Sequence, residues 1–201
     1  MQPNTAFNTL VTNPDTSVFV HKSTAANSAG DYTTIDYPLT NGNPNAIILV
    51  TPNLDPGGLS VKYHDHPIGA YYSTTASKWR IFNQDIAPMQ IGASFNVFIP
   101  TAGPGVGVFV HTATGGSGNQ TYINNPMTNG NPNAIVVVTP NWNPGGIGGV
   151  YANFPIGVYY NNTARKWAIF NQNGISSSMP ANAAFNVYVV GSKLYLPLVI
   201  R

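Results

Sequence analysis

Thr40-Asn41-Gly42-Asn43-Pro44-Asn45-Ala46-Ile47 returns 88 residues later as Thr128-Asn129-Gly130-Asn131-Pro132-Asn133-Ala134-Ile135. Asn-Gly favours positive φ, and Pro after Asn presets the first central residue of a turn, so each copy reads as a loop. Each loop leads into a continuous branched run, Ile47-Ile48-Leu49-Val50 or Ile135-Val136-Val137-Val138, and then into Thr-Pro-Asn. Such a run reads as a buried strand. The spacing marks an internal repeat, and the rest of the chain is best read against it.

The flanking segments follow the same period. Val18-Phe19-Val20-His21 matches Val108-Phe109-Val110-His111, and Tyr32-Thr33-Thr34-Ile35-Asp36 matches Gln120-Thr121-Tyr122-Ile123-Asn124. Asp55-Pro56-Gly57-Gly58 and Asn143-Pro144-Gly145-Gly146 place Pro and Gly as a type II turn prefers. Pro67 to Gln84 and Pro155 to Gln172 each read as a hairpin, with Lys-Trp-x-Ile-Phe-Asn-Gln as the second strand. The unit closes on Phe95-Asn96-Val97 or Phe185-Asn186-Val187. This closing segment has a third copy at the start of the chain, around Phe7-Asn8. Met1 stands where the other copies carry Met89 and Met179, so it fits an initiator, a processed terminus or a boundary within a longer array alike.

No long segment has helical periodicity, and strands alternate with Gly, Pro and Asn turns. The expectation is an all-β fold of two tandem homologous repeats of about 88 residues, each an antiparallel sandwich or barrel. Residues 1–99 form the first repeat with an extra Phe-Asn strand, 100–107 a linker, and 108–201 the second repeat. The closing run Leu194-Tyr195-Leu196-Pro197-Leu198-Val199-Ile200-Arg201 has no counterpart in the first repeat and is apolar on both faces. Such a strand must pack on its own chain or pair with another.

Composition narrows the function classes. Only 7% of the 201 residues are charged, there is no Glu or Cys, and Asn, Thr, Gly, Pro and Tyr supply the polarity. A net charge of +2 over scattered Lys and Arg provides no basic patch, which argues against nucleic acid as a partner. Neutral amides and hydroxyls suit an extracellular or cell-surface protein. No run reaches membrane-spanning length, so membrane insertion is not expected, and the N-terminus shows no signal-peptide pattern.

The set Phe-Val-His, Thr-Asn-Gly-Asn-Pro-Asn-Ala, Pro-Gly-Gly, Lys-Trp-x-Ile-Phe-Asn-Gln and Ala-Phe-Asn-Val resembles an uncharacterised family of tandem β domains in secreted bacterial proteins. The resemblance covers nearly the whole chain and implies export and repetition. The closing Tyr-Leu-Pro-Leu-Val-Ile-Arg is similar to the tail of some secreted bacterial proteins. No activity comes with either resemblance.

Duplication also tests chemistry. Asp31, Asp36, Asp55, Asp65 and Asp85 fall opposite Asn119, Asn124, Asn143, Asn153 and Asn173. Asn does not titrate, so a shared role must be one both can fill, such as turn formation or capping of backbone N–H groups. His64-Asp65-His66 puts two imidazoles on one strand face, but its counterpart is Ala152-Asn153-Phe154, which holds no metal. His21 and His111 recur beside Phe19 and Phe109 and read as half-buried strand histidines bonded to a backbone carbonyl. No Gly-x-Ser-x-Gly or phosphate loop is present, and the paired carboxylates of glycoside hydrolysis are missing from the second repeat. No catalytic residue, metal or cofactor is therefore expected.

Two readings remain ahead of catalysis. The first is a non-enzymatic extracellular structural module for surface display or self-assembly, with filaments formed by β-strand exchange and another copy of itself as partner. Its assembly strands are those of Phe7, Asn8, Phe185 and Asn186 and the run carrying Leu194, Leu196, Leu198 and Ile200. The second is a bivalent carbohydrate-binding module for neutral glycans, using Trp142, Trp79, Trp167, Asn83 and Asn171. An enzyme confined to the first repeat would need a cleft gathering at least two of His64, Asp65, His66 and Asp85.

Overall fold

The computed structural model describes residues 6–13, 15–58, 62–115, 118–174 and 177–191. The apolar run with Leu194, Leu196, Leu198 and Ile200 lies outside them. The first repeat contains β1 (Val18–Lys22), β2 (Ser28–Ala29), β3 (Tyr32–Thr34), β4 (Leu49–Asn53), β5 (Ile68–Ser73), β6 (Lys78–Asn83) and β7 (Ser94–Phe98). The second contains β8 (Val106–Thr112), β9 (Gln120–Tyr122), β10 (Ile135–Asn141), β11 (Ile156–Asn161), β12 (Lys166–Asn171) and β13 (Ala184–Val190). Among the described residues the helical turns are the two Pro-Gly-Gly segments, Pro56–Gly58 and Pro144–Gly146. No described helix is long and apolar enough to cross a membrane. Strand β8 begins at Val106, two residues inside the span expected to be linker.

Each repeat is a two-sheet sandwich around its own core. In the first, sheet β1-β7-β4 covers a hairpin sheet β2-β3-β6-β5; in the second, β8-β13-β10 covers β9-β12-β11. Alternation along β7 sends Phe95 and Val97 fully inward and Asn96 outward, as the two-residue period of a strand requires. Ile35, Ile48, Trp79 and Ile81 meet them; Ile123, Val136, Trp167 and Ile169 meet Phe185 and Val187 in the second core. Each such side chain contributes roughly 1.5–3 kcal/mol on burial.

The repeated Asn-Gly loop clamps this core. Gly42, at φ 70°, donates its N–H to the Ser77 carbonyl in the β5–β6 turn at 2.9 Å, and the Asn43 carbonyl accepts the Trp79 indole N–H at 2.8 Å. The second repeat repeats both bonds, from Gly130 to Arg165 at 2.8 Å and from Trp167 to Asn131 at 2.9 Å. Pro52 shares the parity of Val50, whose amide points off the free edge of β4, so its missing N–H costs no ladder bond. His21 and His111 cross the sandwich to threonine hydroxyls, Thr33 at 2.8 Å and Thr121 at 2.9 Å, rather than to backbone carbonyls.

The two sandwiches share a sheet. Strand β5 of the first pairs in parallel with β10 of the second at Ala70 and Asn141, giving the seven-stranded order β2-β3-β6-β5-β10-β13-β8.

Candidate functional site at the open side of each repeat

One side of each sandwich is left open between the edge of β4 or β10 and the edge of β5 or β11. In the first repeat that side is closed by the outward face of β10 and β13. The Thr139 hydroxyl accepts the Val50 amide at 2.9 Å, and Asn186 Nδ2 donates to the Ile48 carbonyl at 3.0 Å. These two side chains stand in for a missing strand along β4. Asn143 does the same along β5: its Oδ1 accepts from the Tyr72 amide at 2.8 Å, and its Nδ2 donates to the Tyr72 carbonyl at 2.9 Å. Asn141 Nδ2 donates to Asn186 Oδ1 at 2.9 Å and holds it in place. The Trp142 amide bonds the Ala70 carbonyl at 2.9 Å, and the Ala152 amide bonds Gln84 Oε1 at 3.1 Å. Trp142 packs against Tyr71, and Tyr151 against Phe82, around this polar seam.

Among the described residues, no set of Thr and Asn side chains like Thr139, Asn143 and Asn186 covers the open side of the second repeat. A cleft of about 510 Å³ lies there, lined among others by Val136, Val138, Val158, Tyr160, Phe170 and Gln172. The N-terminal segment enters it. Asn8 Nδ2 donates to the Val136 carbonyl at 2.9 Å, while Phe7 stays 68% exposed. Val136 corresponds to Ile48, and Asn8 to Asn186, so the third Phe-Asn copy makes the bond that the second repeat makes on the first.

Among the described residues the outward face of the first repeat is covered only in part: Leu49 is buried and Phe98 packs on Tyr188, while Thr51 and Asn96 stay exposed. Asn53 Nδ2 donates to Asn96 Oδ1 at 2.8 Å, the same pairing as Asn141 with Asn186. There it is exposed; in the second repeat it is buried. Thr51 is exposed where Thr139 is buried. Phe7, Asn8 and Leu10 line one shallow cleft beside this face.

The residues expected to bind a ligand fall elsewhere. Trp79 and Trp167 are core residues at 0% and 7% exposure, and Asn83 and Asn171 are fully buried. The aromatic platform expected from them is absent, because the Trp rings fill the sandwich and the Asn side chains staple the following loop, at Ala87 and Ser177. Trp142 is part of the joint between repeats, its ring laid flat on Gly149. Phe185 is a core residue, and Asn186 belongs to the joint.

The first repeat does bring His66 onto Asp85, Nδ1 to Oδ2 at 2.6 Å, with Asp65 3.5 Å from the other nitrogen. Burial would raise the Asp85 carboxyl, but the His66 and Ala87 hydrogen bonds outweigh it and hold it low. His64 sits against Phe95 and His66, and burial lowers its pKa. The imidazole of His66 is thus flanked by carboxylates, not by a hydroxyl nucleophile. No group of three His, Asp, Glu or Cys placed to hold a metal exists among the described residues.

Of the joint residues, Thr139, Asn141 and Gln84 carry no site reading from the sequence, and Asn143 reads there only as a turn residue opposite Asp55. The signal lay in the Thr-Pro-Asn that follows each apolar run and in the replacement of Asp55 by Asn143. A family model described as Domain of unknown function (DUF7452) matches residues 1–99 and again residues 69–189. Each match takes in two successive Phe-Asn copies, those at 7 and 95 or those at 95 and 185. No curated protein and no solved structure matches the chain.

Proposed function

Because the chain belongs to this uncharacterised family and no activity comes with membership, we propose a function from the geometry: a non-enzymatic structural module that is exported and assembles from docked repeats. The observation that carries it is the joint between the two repeats. Backbone edges are closed by Thr and Asn side chains from the next unit, and among the described residues the same face and the same open side recur, with Asn8 as the open side's one side-chain cap from the N-terminal segment. A surface of amides and hydroxyls with few charges supports work outside the cell. The His66–Asp85 pair has no counterpart in the second repeat, where Phe154 and Asn173 stand, which supports a role without catalysis.

Light scattering during size-exclusion chromatography tests this reading. The expected mass rises above 21.4 kDa with concentration. A mass that stays at the monomer value over the whole range would contradict it.

A second reading, recognition of a neutral glycan, draws on the aromatic seam. Tyr151 is 47% exposed beside the half-buried Trp142 ring. An exposed aromatic face suits a sugar. Glycan-array binding abolished by Trp142→Ala is the result this reading requires.

A further inference from the structure

We infer that the outward face of the first repeat, carrying Thr51, Asn53 and Asn96, docks on the open side of the second repeat of another copy of the chain. The inference rests on the structural reading above and names its two surfaces. The template is the joint inside each chain. Thr139, Asn141 and Asn186 form the docking face there, and Thr51, Asn53 and Asn96 repeat them residue for residue, with the Asn53–Asn96 bond already made.

The receiving side recurs except at the C-terminal end of β10, where Asn141 and Trp142 already meet Ala70 of β5. Its polar groups are backbone atoms, and the registers that aim them are shared. Val50 opposes Val97 as Val138 opposes Val187, and Tyr72 opposes Trp79 as Tyr160 opposes Trp167. The amides and carbonyls that Thr139, Asn186 and Asn143 satisfy in the first repeat therefore point off β10 and β11 into the cleft of the second. Among the described residues strand β11 has a partner on one side only, and all six of its residues are partly exposed, whereas four of the six in β5 are buried. A regular strand edge left this way is a template for further pairing. Asn8 marks where the incoming Asn96 goes, since its bond to Val136 copies the bond of Asn186 to Ile48. Docking replaces Asn8 with that residue.

Face and cleft are different surfaces, so the contact is heterologous, and a copy that uses one still offers the other. One position does not match. Asn143 both accepts from and donates to Tyr72, but the residue at its place in the first repeat is Asp55. A carboxylate accepts from the Tyr160 amide but offers nothing to the Tyr160 carbonyl. The joint between copies is therefore weaker than the joint within one, and Asp55→Asn completes it.

The test uses three full-length chains in sedimentation-velocity and light-scattering series: Asp55→Asn, a face-blocked Asn96→Arg and an edge-blocked Val158→Lys. Asp55→Asn restores one charge-free hydrogen bond and is expected to tighten self-association about tenfold. Each blocked chain is expected to stay monomeric alone, while their equimolar mixture forms a one-to-one dimer, because one intact face meets one intact edge. Self-association that ignores all three substitutions would overturn these surfaces and leave the assembly reading standing. Absence of self-association in the wild-type chain and in Asp55→Asn would overturn both. The Asp55→Asn variant places in the first repeat the residue the second already carries, so its result does not depend on the folding of the blocked chains.

Discussion

At the scale of the residue, exchange of Asp for Asn between the repeats has two different meanings. Asp36 and Asn124 both use an Oδ1 to accept from the following Asn, Asn41 at 2.7 Å and Asn129 at 2.9 Å. The two do share one acceptor role, though toward a side-chain amide rather than the backbone N–H expected, and Asp36→Asn is expected to leave the urea midpoint unchanged, because the Lys78 ion pair it loses is at the surface. Asn143 is different, since it needs its amide nitrogen as a donor to a buried carbonyl. Asn143→Asp is expected to cost about 2–4 kcal/mol in urea unfolding, by orphaning that carbonyl and burying a charge beside it. Equal unfolding midpoints for the two substitutions would refute the distinction. His21 carries the pH dependence. Burial lowers its pKa to about 4, while the unfolded chain titrates near the ordinary 6.5. The unfolded state thus binds more protons between these values, so stability is full above pH 6.5 and falls as pH drops toward 4. The loss is roughly 3 kcal/mol for His21, and burial lowers His111 in the same direction. Urea midpoints measured from pH 7 to pH 4 are expected to fall through that window and to flatten when His21 is replaced by Gln.

At the scale of the element, the Asn-Gly loop, the β5–β6 turn and the Trp on β6 act as one clamp, made twice. Gly42→Ala meets open space but keeps a left-handed φ, so its cost is backbone strain alone, about 1 kcal/mol. Trp79→Phe also leaves the Asn43 carbonyl without its donor and opens a void, at roughly 2–4 kcal/mol. Calorimetry of Trp79→Phe and Trp167→Phe is expected to give similar losses that add in the double variant, because the two rings lie in separate cores. Much of this level was legible in the chain. The Phe-Asn-Val runs read as strands and Pro-Gly-Gly as turns, and the structure has β7 and β13 there and positive φ at Gly57 and Gly145, although Phe185, read as an assembly residue, is core. Trp79 and Trp167 defeated the ligand reading for a physical reason. Period two places a Trp on a face, but whether that face is core or solvent depends on the facing sheet β1-β7-β4, whose strands lie 15 or more residues from Trp79.

At the scale of the whole molecule, repetition in the sequence could be read, but the joint could not. Thr139, Asn141 and Asn186 are polar residues on outward strand positions, which a single chain read in order assigns to solvent. Only the second sandwich, lying across the edges of the first, makes them interior. The same logic left the spare Phe-Asn copy undecided between closing its own chain and pairing with another, and the structure seats Asn8 on the second repeat of its own chain. Because the joint ties β5 to β10 and closes β4, the two repeats are expected to unfold in one calorimetric transition, which Asn143→Asp separates into two. Residue-resolved amide exchange over a concentration series tests docking between copies most directly. The Val50 and Tyr72 amides, closed within the chain by Thr139 and Asn143, are expected to be protected at every concentration. The Tyr160 amide is expected to exchange quickly in dilute solution and to gain protection as concentration rises. Fast exchange at Tyr160 that is unchanged up to the highest concentration would contradict head-to-tail docking on the second repeat.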